Sequence, residues 1–142
     1  MEMEVIDPAA VRLEALVERG IRFHGHLGPF LVLGLRMGLL ALRELDSRGH
    51  FDLQAVVETG TTPPLSCLID GIQVATGCTL GKGNIEVRHR NKARTTFSKD
   101  ERRLLVELRP AVLELIAEGD VEALARRVME LEDEKLFRWE LR

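Results

Sequence analysis

Cysteine is scarce in this chain: 142 residues contain two, Cys67 and Cys78, and they form no C-x-x-C pair. That excludes the disulfide framework of a small secreted domain, and it leaves too few thiolates for an ordinary four-thiolate iron–sulfur cluster. Reduced thiols in the cytoplasm are the expectation. Positive charge is not in excess either, and a net charge of -3 gives no electrostatic case for nucleic acid. The one cationic run, Arg88 to Arg94, holds no aromatic residue on which a base could stack, and on a strand Arg88 and Arg90 describe one solvated face. The opening MEMEVIDPAA is acidic and lacks both the positive and the apolar region of a signal peptide. The longest apolar run, Leu27 to Leu42, is shorter than a membrane span and has Arg36 in its middle, so it reads as a core helix with no membrane role. No repeat period and no low-complexity tract divides the sequence.

What is present is an ordinary globular composition, 45% hydrophobic and 30% charged, in a length that suits one domain over residues 1–142. Asp7 and Pro8 predict a helix start, with Gly20 closing the helix. Ile21 to His26 is expected to be extended, so that His24 and His26, two residues apart, face one point. Gly28 and Pro29 open a helix to about Ser47 whose positive end lies beside His26. On it Gly34 and Gly38, one turn apart, predict close approach of another element, with a subunit contact as the alternative. Phe51 to Thr59 reads as a strand, TGTTPP as a loop, and Ser66 as the N-cap of a helix from Cys67 to about Ala75 that Gly77 terminates. Asn84 to Arg90, Ala93 to Phe97 and Arg102 to Leu108 read as a three-strand antiparallel meander. Pro110 opens a helix to about Glu118, Gly119 breaks it, and Asp120 caps another through Glu130. Leu136, Phe137 and Trp139 give the tail apolar surface to bury on the domain or on a second copy. The expected fold is α+β, an antiparallel sheet flanked by helices, assembled as a homodimer.

Two stretches gather soft metal ligands, charge and glycine: Phe23 to Pro29, with His24 and His26, and Cys67 to Asn84, with Cys67, Asp70, Cys78 and Lys82. Either thiol alone reads as an inert core residue. Taken together, His24, His26, Cys67 and Cys78 form a two-nitrogen, two-sulfur set suited to zinc, structural if all four bind and open to chemistry if three do. Asp70 could orient a ligating histidine, act as a general base, or simply favour a helix start. Gly77 to Lys82 is one residue too short for a phosphate-binding P-loop, yet its backbone N–H groups with Lys82 could hold a carboxylate or phosphate. A glycine turn beside a solvated lysine is the alternative. His50 and His89 read as surface residues. A metal-free thiol enzyme, with His24 or His26 as base to Cys67 or Cys78, is a further reading of the same groups.

These stretches resemble the E-subunit family of formylmethanofuran dehydrogenase, which carries H-G-H-x-C-P-G and C-x-x-D-G-I-Q-x-x-T-G-C-T-x-G-K-G-N. The second motif is complete from Cys67 to Asn84. In the first, His24, Gly25, His26 and Pro29 match, but Gly28 stands at the cysteine position and Phe30 at the last glycine. The resemblance implies a zinc site of Cys67, Cys78, His24 and His26, with Asp70, Thr79, Lys82 and Asn84 lining an adjoining pocket; Asp70 and Lys82 are the catalytic candidates, and Thr79, Lys82 and Asn84 the cofactor-binding ones. It also implies that redox chemistry belongs to other subunits, so that this chain could be an accessory subunit beside redox-complex partners. Glycine at position 28 implies one ligand fewer.

Overall fold

The computed structural model describes residues 2–142. Its chain order is α1 (Leu13–His24), α2 (Pro29–Glu44), a 3-10 turn (His50–Asp52), β1 (Gln54–Val57), α3 (Cys67–Thr76), β2 (Ile85–Val87), β3 (Arg94–Lys99), β4 (Arg102–Leu108), α4 (Pro110–Leu115), α5 (Val121–Glu130), α6 (Asp133–Leu136) and β5 (Phe137–Leu141). The five strands form one sheet in the order β2-β1-β3-β4-β5. The fold is α+β with a mostly antiparallel sheet, as the sequence predicts.

The sheet differs from a simple meander. β1 lies between β2 and β3 and runs parallel to β2, so β1, α3 and β2 form a crossover unit. Burial explains the order. β1 puts Ala55 and Val57 fully into the core, whereas β2 buries no residue completely and takes the edge. The tail packs on its own domain: β5 pairs with β4 from Phe137↔Leu108 to Leu141↔Leu104, and Trp139 Nε1 donates to Glu44 at 3.1 Å.

α2 is the central element, with Leu31, Val32, Leu33, Leu35 and Met37 wholly buried. Its arginine does not break that burial. Arg36 donates to the carbonyls of Val128 (3.0 Å) and Met129 (3.1 Å) at the end of α5 and pairs with Asp133 at 3.0 Å, so the cation completes a helix terminus. Gly34 and Gly38 serve close packing, the first of their two readings. A Cβ on Gly34 would run into the Leu68 carbonyl of α3, and one on Gly38 would sit 2.8 Å from the Ala75 Cβ. Gly71 of α3 returns the contact, facing the backbone of Leu31 and Leu35.

Several local expectations shift. Asp7 accepts from the Ala9 N–H, but residues 8–10 form only a turn and α1 starts at Leu13. Gly20 does not end the helix because it faces α2, where a Cβ would lie 3.1 Å from Leu35 Cδ1. The helix runs on to His24 and ends at Gly25, whose φ of 107° and N–H bond to the Ile21 carbonyl (2.7 Å) make the left-handed cap. Residues 21–24 are therefore helical rather than extended. Ser66 sits in a helical conformation and caps nothing, whereas Asp120 accepts from the Ala123 N–H as expected.

One buried ion cluster has a measurable consequence. Glu58, 6% exposed, accepts from Arg94 through both carboxylate oxygens and from Arg90 at 3.1 Å. Arg94 is the main cause that holds its carboxyl at about 2, below the usual 4.5, against the effect of burial. A depressed folded-state value means that this stabilisation is complete above pH 4.5 and is lost as pH falls toward 2. The loss amounts to roughly 3 kcal/mol. Urea midpoints are expected to fall steeply from about pH 5 to about pH 2.5, and Glu58→Gln to be less stable at neutral pH with a visibly flatter acid branch.

Candidate functional site

The turn between α1 and α2 brings the two histidines together without a strand. His24 closes the last turn of α1 on the face of Leu16, Val17 and Gly20, so it points inward and its side chain is 10% exposed. Gly25 then reverses the chain, and the His26 ring comes back to 4.7 Å from the His24 ring, centroid to centroid. Gly28, extended at φ -142°, precedes Pro29 at the first position of α2.

α3 presents its first turn to this pair. The Asp70 carboxylate lies 2.6 Å from His24 Nδ1, across 46 residues of sequence. An ionised carboxylate accepts there, so the neutral imidazole carries its proton on Nδ1 and leaves the Nε2 lone pair free. Cys67, three residues before Asp70, is partly buried, and burial followed by the negative charge of Asp70 raises its thiol above the usual range. His24, His26 and Cys67 lie at one cleft of about 310 Å³. Phe30 and Leu31 of α2 and the cis-linked Pro63 and Pro64 form part of its wall. Ile116, Val121 and Leu124, around the start of α5, complete it. Nothing in the sequence distinguishes these apolar residues as site residues; only the Pro63-Pro64 pair carries a local signal, that of a loop.

The second cysteine is elsewhere. Cys67 begins α3 and Cys78 follows the left-handed cap at Gly77, so ten helical residues hold them about 15 Å apart. Cys78 is fully buried, with its thiol 3.5 Å from the Leu53 carbonyl. Burial raises it too, against the opposing influence of Thr76 and Lys82. The four expected ligands therefore do not meet at one point. Among the described residues no three His, Cys, Asp or Glu side chains form a ready-made metal cluster.

Thr79, Lys82 and Asn84 also lie at this far end of α3 rather than beside His24. Their loop satisfies its own N–H groups: Thr79 N donates to Asn84 Oδ1 (2.9 Å), Lys82 N to Thr79 Oγ1 (3.2 Å) and Gly83 N to the Thr79 carbonyl (3.1 Å). The Asn84 amide ties the loop to the carbonyls of His50 (2.7 Å) and Leu53 (3.1 Å). Donors already engaged in this way do not form an anion cradle. Lys82 Nζ rests 3.3 Å from Thr79 Oγ1 and 6.0 Å above the Phe51 ring. Of the two catalytic candidates, Asp70 is at the histidine end and Lys82 is not.

Fold and site together define a class: an α+β domain in which the α1–α2 turn and the start of α3 bring an aspartate-backed histidine, a second histidine and a thiol to one apolar cleft. The family model described as FmdE, molybdenum formylmethanofuran dehydrogenase operon, matches residues 23–138, and the chain belongs to that family. A crystal structure of a tungsten formylmethanofuran dehydrogenase E-subunit (FmdE)-like protein from Syntrophus aciditrophicus has the same fold, with a TM-score of 0.67 at 21% identity over 99% of this chain and 77% of that one. A probable S-adenosyl-L-methionine-binding protein from Archaeoglobus fulgidus is 42% identical over 81 residues. That match takes in 52% of this chain, which spans about a fifth (20%) of the relative's length.

No helix among the described residues is long and apolar enough to cross a membrane.

Proposed function

We propose that this chain binds zinc through His24, His26 and Cys67 at an open site, and that Cys78 belongs to the core. The observation that carries this reading is the 2.6 Å contact between His24 Nδ1 and Asp70, the carboxylate–histidine arrangement that fixes the tautomer and aims Nε2 at a metal. The donor set supports it. Two imidazoles and one thiol border a single cleft, and the reading requires the side chains of Cys67 and His26, both at least partly exposed, to turn toward His24 so that three donors meet at one ion. Zinc held by three protein groups keeps a fourth position free and supplies Lewis-acid chemistry, polarising a carbonyl or lowering the pKa of water. In that setting Asp70 holds the His24 proton, and the apolar wall limits water. The raised Cys67 and Cys78 thiols speak against a metal-free thiol enzyme, which needs a thiolate near neutral pH.

The test is zinc content per chain, by elemental mass spectrometry, of untagged protein purified without chelator, beside Cys67→Ser and Cys78→Ser. The reading expects close to one zinc in the parent and in Cys78→Ser, and a loss of at least about tenfold in affinity in Cys67→Ser. Equal retention by both variants, or loss in Cys78→Ser alone, sinks it.

A second reading, assembly of two copies of this chain, is favoured by a groove of about 660 Å³ at the C-terminal end of α3. Val5 (63% exposed) and Phe23 (58%) lie along it. We take a second copy of this chain as the occupant; sedimentation equilibrium at twice the chain mass supports it, and a monomer at micromolar concentration counts against it.

A further inference from the structure

We propose that the cleft beside His24 and His26 takes a small ligand with one donor group and an otherwise apolar, uncharged body; this rests on the reading of that cleft as the functional site. The wall of this cleft carries no charge of its own. No Asp, Glu, Lys or Arg side chain lines it, and apart from His24, His26 and Cys67 its side chains are hydrocarbon or absent. The Asp70 carboxylate is bonded to His24 Nδ1 rather than turned to the cleft, and Glu118 and Asp120, beside the lining residues Ala117, Gly119 and Val121, do not line it themselves. The groove at the C-terminal end of α3 differs in this respect, since Glu4, Asp7 and Arg19 line it.

An ionised group placed against Phe30, Pro63, Ile116 and Leu124 would give up hydration and meet no partner, a heavy penalty. A methylene or ring carbon in the same place gains burial instead. The donor group belongs at the opposite pole, where the His24 Nε2 lone pair, the His26 ring and the Cys67 thiol are the polar side-chain features. Gly28 keeps that pole open: a Cβ there would be 3.5 Å from His26 Cε1 and 3.6 Å from Val121 Cγ1, space that a glycine leaves to an incoming group. A volume of about 310 Å³ is at the small end for ligand pockets and suits a body on the order of ten non-hydrogen atoms. Charged carriers with phosphates or several carboxylates are therefore excluded from the cleft itself.

The experiment compares two probes with the same head and ring, benzyl mercaptan and 4-(mercaptomethyl)benzoate, by calorimetry on the zinc-loaded full chain. In parallel, benzyl alcohol and 4-(hydroxymethyl)benzoate are titrated into metal-free protein while the methyl resonances of Ile116, Val121 and Leu124 are followed. The proposal expects the uncharged probe to bind at least about tenfold more tightly in both forms. Val121→Lys, at a position 48% exposed where a lysine is tolerated, is expected to narrow or reverse that ratio. Binding of the carboxylate within about twofold of the uncharged probe, or no perturbation of those methyls by either, overturns the proposal. Failure of the chain to take up zinc, with the preference intact in metal-free protein, overturns the metal reading and supports the ligand assignment.

Discussion

Gly71→Ala is expected to remove the folded state at physiological temperature. Its Cβ would meet the Leu31 carbonyl and the Leu35 amide, backbone atoms in the middle of α2 that cannot swing aside as a flexible side chain would. Relief requires α2 and α3 to separate, and α2 carries an almost continuous buried surface from Leu31 to Leu42. A loss of about 4 kcal/mol or more follows, a large part of the stability of a domain of this size. Gly81→Ala is the control: nothing lies within 4 Å of a Cβ there, and a change within about 0.5 kcal/mol is expected. Chemical denaturation followed by far-UV circular dichroism reads both. A folded Gly71→Ala protein with near-parent stability would show that the helices are not locked by this contact.

Gly28→Cys is expected to act in the opposite sense, as a gain. Gly28 is extended (φ -142°, ψ 159°), so any side chain is allowed there, and its Cβ would make only ordinary contacts with His26 and Val121. A thiol added at this point stands beside His26 at the start of α2, where the free N–H groups favour thiolate over thiol. Under the zinc reading it supplies a fourth donor and closes the site. Zinc affinity should rise by about a hundredfold or more, equivalent to roughly 3 kcal/mol. The same closure should reduce binding of benzyl mercaptan, because the open position is filled. Competition with a chromophoric chelator measures the first effect, and unchanged affinity would place the metal elsewhere.

The parts of this molecule that local chemistry controls were legible in the sequence, and those set by distant partners were not. Gly28-Pro29, Gly77 and Asp120 marked helix ends because caps depend on one or two residues. Gly34 and Gly38 announced a close helix contact, although only the fold identifies α3 as the partner. The place of β1 between β2 and β3 was hidden, since strand order depends on pairing between stretches far apart in the chain. Gly20 misled because a glycine that admits a neighbouring helix resembles one that stops its own.

The site followed the same division. His24 with His26, and Cys67 with Asp70, were visible as pairs at short spacing, but the bond from His24 to Asp70 spans 46 residues and follows from the packing of α1 on α3. The grouping of Cys67 with Cys78 in one ligand set runs against helix arithmetic, in which ten residues at about 1.5 Å each keep the thiols apart. Read through the fold, the long second motif serves two places: its start faces the histidines, and its end, from Gly77 to Asn84, ties the far end of α3 to the chain around Leu53.

The central claim is that one thiol and two imidazoles define the functional end of α3. X-ray absorption at the zinc edge of the loaded parent chain tests it most directly, because sulfur and nitrogen donors differ in distance, about 2.3 Å against about 2.0–2.1 Å. The account predicts one sulfur and two nitrogens, with the remaining position taken by a light atom. Two sulfurs in the parent chain would bring Cys78 to the metal and contradict it.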